Sequence, residues 1–184
     1  LMSRLIRNLS NLPGWRTDSK FIIFESDDWG SIRMSSLSAF NRLEESGVDL
    51  RSADAERYNL NDTLETKDDL AALFEVLDSV KGGYKSKAVF TPVCIVANPD
   101  FERIEKSGFS EYYYEPFTDT LKRYEGCEDS FALWTEGISH GLFIPQMHGR
   151  EHLNVIAWMT DLKNGERKAH LAFSERLTGI VPTQ

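Results

Sequence analysis

His148 and His152 stand four residues apart, and Asp27 and Asp28 stand side by side far earlier in the chain. Imidazole nitrogen and carboxylate oxygen together suit zinc or a similar transition ion. Two histidines with one aspartate leave coordination positions for water and substrate, which marks a catalytic rather than a structural centre. If a helix begins by His148, one turn brings both imidazoles to the same face. Adjacent carboxylates repel unless a cation intervenes. An ion beside Asp28 removes that conflict and leaves Asp27 free to take a proton from water. The expected set is therefore Asp28, His148 and His152 as metal ligands, with Asp27 as catalytic base. Zinc is the expected ion, with cobalt or nickel as alternatives. The plainer reading of the same residues is two histidines decorating a helix and an aspartate capping the helix that follows.

Elements of the right kind lie beside these residues. Phe21-Ile22-Ile23-Phe24, within 20–25, is a continuous apolar run suited to a strand buried on both faces, and residues 26–31 after it read as a loop. The spacing predicts a helix over 38–46, stopped by Gly47, and a long loop over 48–64. Thr66 and Asp69 form a capping box for a helix carrying Leu70, Leu73, Phe74, Leu77 and Val80, closed by Gly82-Gly83. A second strand is expected over 88–96, with Pro92 marking its end or an irregularity. Short helices are expected over 4–12 and 100–106, and a longer one runs from Asp129 or Ser130 to Ser139. Leu142-Phe143-Ile144 reads as a third strand, followed by helices over 153–162 and 167–177. Strands alternating with helices favour an α/β class with a parallel sheet, whose ligand sites lie beyond the carboxyl ends of the strands. Asp27-Asp28 and His148 both fall there.

With 184 residues, 41% of them hydrophobic, the chain suffices for one core, and 1–184 is expected to be one domain. A net charge of −8 argues against non-specific nucleic-acid binding. No apolar run approaches the roughly 20 residues of a membrane span. The start lacks the pattern of a secretory leader, so a cytoplasmic location is expected. Cys94 and Cys127 read as reduced thiols.

Residues 21–30, Phe-Ile-Ile-Phe-Glu-Ser-Asp-Asp-Trp-Gly, resemble the first motif of the polysaccharide deacetylase family, the NodB-homology carbohydrate esterases. Met147-His148-Gly149-Arg150-Glu151-His152 is similar to that family's second motif, a strand followed by two histidines four apart. The stretches 88–93 and 134–141 resemble the strand and the helix-turn between them, so the likeness covers about 21–154. It differs in having Trp29 before Gly30, and the family's later arginine-proline, aspartate and histidine motifs have no match. The resemblance implies a distorted (β/α) barrel, of which this chain would be the N-terminal part. It also implies a hydrolase that removes N-acetyl or O-acetyl groups from a polysaccharide or oligosaccharide. Asp27 would be the base, and Asp28, His148 and His152 would bind the metal. Trp29 and His140 are candidates to contact the sugar, and Tyr112–Tyr114 and Trp134 are further stacking candidates. His140 and His170 are candidates for the general acid.

Two rival functions fit part of the same sequence. His148-Gly149-Arg150-Glu151-His152 matches the H-x-x-E-H metallopeptidase pattern, with Glu151 as base and Glu166 or Glu175 as third ligand. That reading leaves Asp27-Asp28 without a role. The other rival is a degenerate domain that binds glycans without hydrolysing them.

Overall fold

The computed structural model describes residues 6, 9, 10, 14, 16–51, 55–80 and 87–178. Its centre is a three-stranded parallel sheet in the order β1-β2-β5, where β1 is Glu25–Trp29, β2 is Thr91–Ile95 and β5 is Gln146–Gly149. β3, Ala97–Pro99, pairs antiparallel with β4, Tyr114–Pro116, as a separate two-stranded ribbon. The helices are α1 (Leu37–Glu45), α2 (Ala55–Asn61), α3 (Lys67–Ser79), α4 (Phe101–Lys106), α5 (Phe117–Leu121), α6 (Ser130–Ser139), α7 (Val155–Lys163) and α8 (Arg167–Ser174). The α/β class and the parallel pairing agree with the sequence. Among the described residues the sheet stays open and no barrel closes.

Both outer strands begin later than their apolar runs suggest. Pairing reaches back only as far as the Phe24 carbonyl, which accepts from the Thr91 N–H at 3.0 Å. Phe21, Ile22, Ile23 and Phe24 remain 57–82% exposed, while the polar residues expected to form a loop make up β1 itself. β5 is likewise the motif-bearing stretch, and the run before it contributes only a bridge between Phe90 and Phe143. The reason is that an apolar run reports a preference for burial, whereas a strand also needs a neighbour in register. β2 is that neighbour on both sides. Pro92, which has no N–H to give, sits inside β2 one residue before its register with β5 begins at Val93.

Local signals elsewhere locate the helices well. The Thr66–Asp69 capping box is formed in both directions, and Ser36, Asp100 and Asn154 accept backbone N–H groups at the starts of α1, α4 and α7. The expected loop over 48–64 is a different matter, because it contains α2, whose Asn59 side chain donates to the Leu50 carbonyl at 2.9 Å. The helix expected over 4–12 falls mostly outside the described residues, of which Ile6, Leu9 and Ser10 are helical. Gly82-Gly83 also lies outside them.

One face of the sheet packs on α3 and α6 through Leu70, Cys94, Trp134 and Phe143, with Trp29, Phe74 and Phe90 against them. Phe143 is wholly buried, and its ring meets those of Trp29, Phe74 and Trp134 at 5.2–5.5 Å, close to edge-on. Truncating such a side chain to alanine costs about 3–5 kcal/mol. Gly137 lets α6 lie close to α3, since a Cβ there would come within 2.3 Å of the Phe74 ring. A second core joins α4, α5, α7 and α8 through Ile104, Leu121, Trp158, Leu162 and Phe173. No helix among the described residues is long and apolar enough to cross a membrane.

Candidate metal centre

The two motif segments flank β2 at the carboxyl end of the sheet, and both are bulged against it. Between β1 and β2 the register runs from Ser26↔Pro92 to Trp29↔Cys94, so β1 carries one residue more than its partner across Asp27-Asp28. Between β2 and β5 it runs from Cys94↔Met147 to Ile95↔Gly149, which makes His148 the extra residue. Bulges bend a strand and re-aim a side chain, and they favour active-site edges. Here two of them turn groups from opposite sides of the sheet toward one point.

Asp28 carries the backbone cost of this arrangement, with φ at +63° in the left-handed region. Aspartate visits that region more readily than most residues, but such strain persists only where surrounding structure holds it. Gly30 follows at φ +81°, and a Cβ on it would come within 3.0 Å of the Ile95 carbonyl oxygen and the Phe117 ring. A glycine is therefore required to let the chain turn away beside β2.

Asp28 Oδ1 lies 3.8 Å from His148 Nε2 and 4.0 Å from His152 Nε2. One ligand atom from each of the three residues lies within 4.8 Å of the others. The imidazole rings are stacked, with centroids 5.7 Å apart and planes 10° from parallel. The helix-turn geometry expected for the pair is not what joins them. His148 is in β5 and His152 in the bend before α7, so the chain between them folds back rather than winding.

The donor types of the triad, one carboxylate and two imidazoles, are those that could hold a divalent ion. Asp28 Oδ1 is buried and has no hydrogen-bond partner, which for a charged oxygen is a costly condition. Separations of 3.8 and 4.0 Å are too long for hydrogen bonds. They suit donors on either side of an ion about 2.0–2.2 Å from each, which spans at most roughly 4.2 Å. The other oxygen, Oδ2, accepts from Arg33 Nη2 at 3.4 Å. Arg33 also reaches Asp62 at 3.6 Å and lies over the Tyr58 ring.

Two cavities adjoin the triad. The larger, about 520 Å³, is lined by Asp27, Asp28, Trp29, Arg33, Tyr58 and Glu65 among others. The smaller, about 280 Å³, is lined by Arg33, His152, Leu153, Trp158 and Asp161 among others. In the larger one, burial raises the Asp62 carboxyl, opposed by Arg33 and assisted by Asp28. Burial also pushes Glu65 up to about 7, although its own backbone N–H and the Trp134 indole N–H favour the ionised form.

The remaining sequence candidates sort clearly. Asp27 is exposed on the larger cavity beside the triad. Trp29 lines that cavity while its ring packs on Phe90 and Phe143. His140 ends α6 with its Nδ1 4.0 Å from Glu136 and its carbonyl accepting from Lys87 Nζ at 3.5 Å, and it does not join the triad. His170 bonds the Leu162 carbonyl at 2.8 Å and packs on Phe109. Tyr112 packs on Trp158, while Tyr113 and Tyr114 lie beneath Arg103 and Arg150. Glu151 is held by Arg150 at 2.5 and 2.7 Å, and Glu175 by Arg42. Glu166 stands at the start of α8, and none of these three acids joins the triad.

Sequence reasoning missed Arg33, Asp62 and Glu65. Arg33 follows Asp28 by five positions, and Glu65 immediately precedes the capping-box threonine, but neither spacing signals a cavity wall. No family model matches the chain, and no curated protein or solved structure matches it either.

Proposed function

We propose that this chain is a metal-dependent carbohydrate deacetylase, a hydrolase that cleaves the C–N bond of acetamido sugars. The observation that carries this reading is the buried, unpartnered Asp28 Oδ1 facing two imidazole nitrogens at 3.8 and 4.0 Å. Asp28, His148 and His152 hold the ion, with zinc the best match to one carboxylate and two imidazoles. When bound, the ion supplies Lewis acidity to the acetyl carbonyl and eases the ionisation of water. Asp27, next to the ligand and open to the larger cavity, takes the proton that the attacking water loses. Arg33 holds Asp28 Oδ2 so that Oδ1 stays turned toward the histidines. The cavity wall combines serine, aspartate, asparagine and threonine with the Trp29 and Tyr58 rings, a mixture that hydrogen-bonds and stacks on a sugar. The resemblance to polysaccharide deacetylases supplies the substrate class, and the open sheet would be the metal-bearing part of a barrel of that type.

The test is metal content and deacetylation together. Purified protein is expected to carry one equivalent of zinc and to release acetate from an N-acetylglucosamine oligomer, with cobalt and nickel compared as replacements. A double variant, Asp28→Asn with His148→Ala, is expected to lose both properties. Equal metal in the two proteins would sink the reading. Metal without acetate release would leave only a glycan-binding site.

A further inference from the structure

The proposed reaction needs a proton at a second place. When the C–N bond breaks, the departing nitrogen must be protonated, because an amide ion is too basic to leave unaided. Neither histidine the sequence offered for this belongs to the triad or lines either cavity, and His170 is bonded to the Leu162 carbonyl.

Building on the deacetylase reading, we propose that Glu65 is the acid of the site, giving its proton to the leaving nitrogen from the wall of the cavity that Asp27 and Asp28 share. Three observations place it there. Glu65 lines the same cavity as both aspartates. It is fixed between elements, with Oε1 accepting from the Trp134 Nε1 at 2.8 Å and its carbonyl accepting from the Ser130 hydroxyl at 2.9 Å. Its surroundings keep the proton on, since burial raises the carboxyl to about 7. The groups facing it are Asp69 on α3, Cys94 on β2, Cys127 before α6, and Asp27, Asp28, Arg33, Asp62 and Tyr58 around the cavity. A carboxyl that burial keeps protonated can serve as the acid of a reaction.

The step balances. Water loses one proton to Asp27 as its oxygen bonds to the acetyl carbon. The C–N bond then breaks, its electron pair stays on nitrogen, and the Glu65 proton joins that nitrogen. The products are the free amine and acetic acid, and the proton on Asp27 returns to Glu65 to reset the pair.

The experiment compares two acyl substrates that differ in leaving group. An N-acetylglucosamine oligomer needs a proton at nitrogen, whereas p-nitrophenyl acetate releases a stable phenolate and needs none. Glu65→Gln is expected to lower kcat on the oligomer about 10²–10⁴-fold and to leave ester hydrolysis and metal content unchanged. In the unaltered protein, oligomer hydrolysis should fall as pH rises past 7 while ester hydrolysis does not, a comparison that requires no variant. Parallel loss of both substrates in Glu65→Gln together with superimposable pH profiles in the unaltered protein would show Glu65 to be structural. Full oligomer activity in the variant would overturn its role while leaving the deacetylase reading intact. Unaltered, metal-loaded protein that hydrolyses neither substrate removes that reading, and the role of Glu65 with it.

Discussion

The triad is assembled from two unlike arms. The carboxylate arm is held in advance: Asp28 sits at positive φ, Gly30 turns the chain beneath it, and Arg33 grips its second oxygen. The imidazole arm is looser, with His148 and His152 both exposed and separated by a bend outside any helix. Two strategies thus meet at one edge of the sheet. Backbone strain and a half-buried ion pair fix the carboxylate, while a strand bulge and a short bend deliver the imidazoles. In the proposed metal site, the hold on the ion need not be shared evenly among its ligands. The group that is hardest to keep without an ion, a buried carboxylate oxygen, is the one the fold immobilises.

That contrast can be broken first at Asp28. Asp28→Asn keeps a side chain that tolerates the left-handed backbone but removes the charge, so metal should be absent from the purified protein and acetate release should drop by at least about 10³-fold. Elemental analysis decides it, and retained metal would mean the carboxylate is not the anchor. His148→Ala and His152→Ala singly should come next. Each is expected to weaken zinc affinity more than about 100-fold, since losing outer partners alone costs 10–100-fold, and competition with a chelating dye would measure it. Arg33→Ala tests how far the carboxylate arm relies on its grip. A loss of about 10–100-fold in affinity is expected, and an unchanged value in the same titration would show that strain alone suffices.

The smallest effect concerns Glu65 and stability. Its carboxyl is raised from an ordinary 4.5 to about 7 in the folded chain, so the folded state binds more protons than the unfolded state between those values. Stability from this group is therefore fully present below about 4.5 and is lost as pH climbs through 7. Glu65→Gln should accordingly gain thermal stability relative to the unaltered protein between pH 5 and pH 8. A difference in Tm that stays constant over that range would contradict the raised value.

The sequence made the triad visible because ligand chemistry is carried by residue type and rough placement. Asp28 and His148 each come just after an apolar run and His152 lies four residues past His148, which sufficed to bring the three together on paper. How they arrive was not visible. The bulges exist only relative to β2, so no stretch of β1 or β5 taken alone reveals them. For the same reason Phe21–Phe24 passed for a buried strand although they stay exposed, while Phe143, in a run of similar composition, is buried against Phe74, Trp29 and Trp134. Helices fared better, because capping residues act within a few positions of the backbone they satisfy. Glu65 shows the opposite limit. Its indole partner lies 69 residues away, and nothing local distinguishes it from a surface glutamate.

The missing methyl at Gly137 acts beyond its own neighbourhood. Trp134 stands one turn earlier on α6, so the spacing that hydrogen permits against the Phe74 ring also sets where the indole reaches. Alanine at that position would displace the Phe74 ring that packs against α6 beside Trp134.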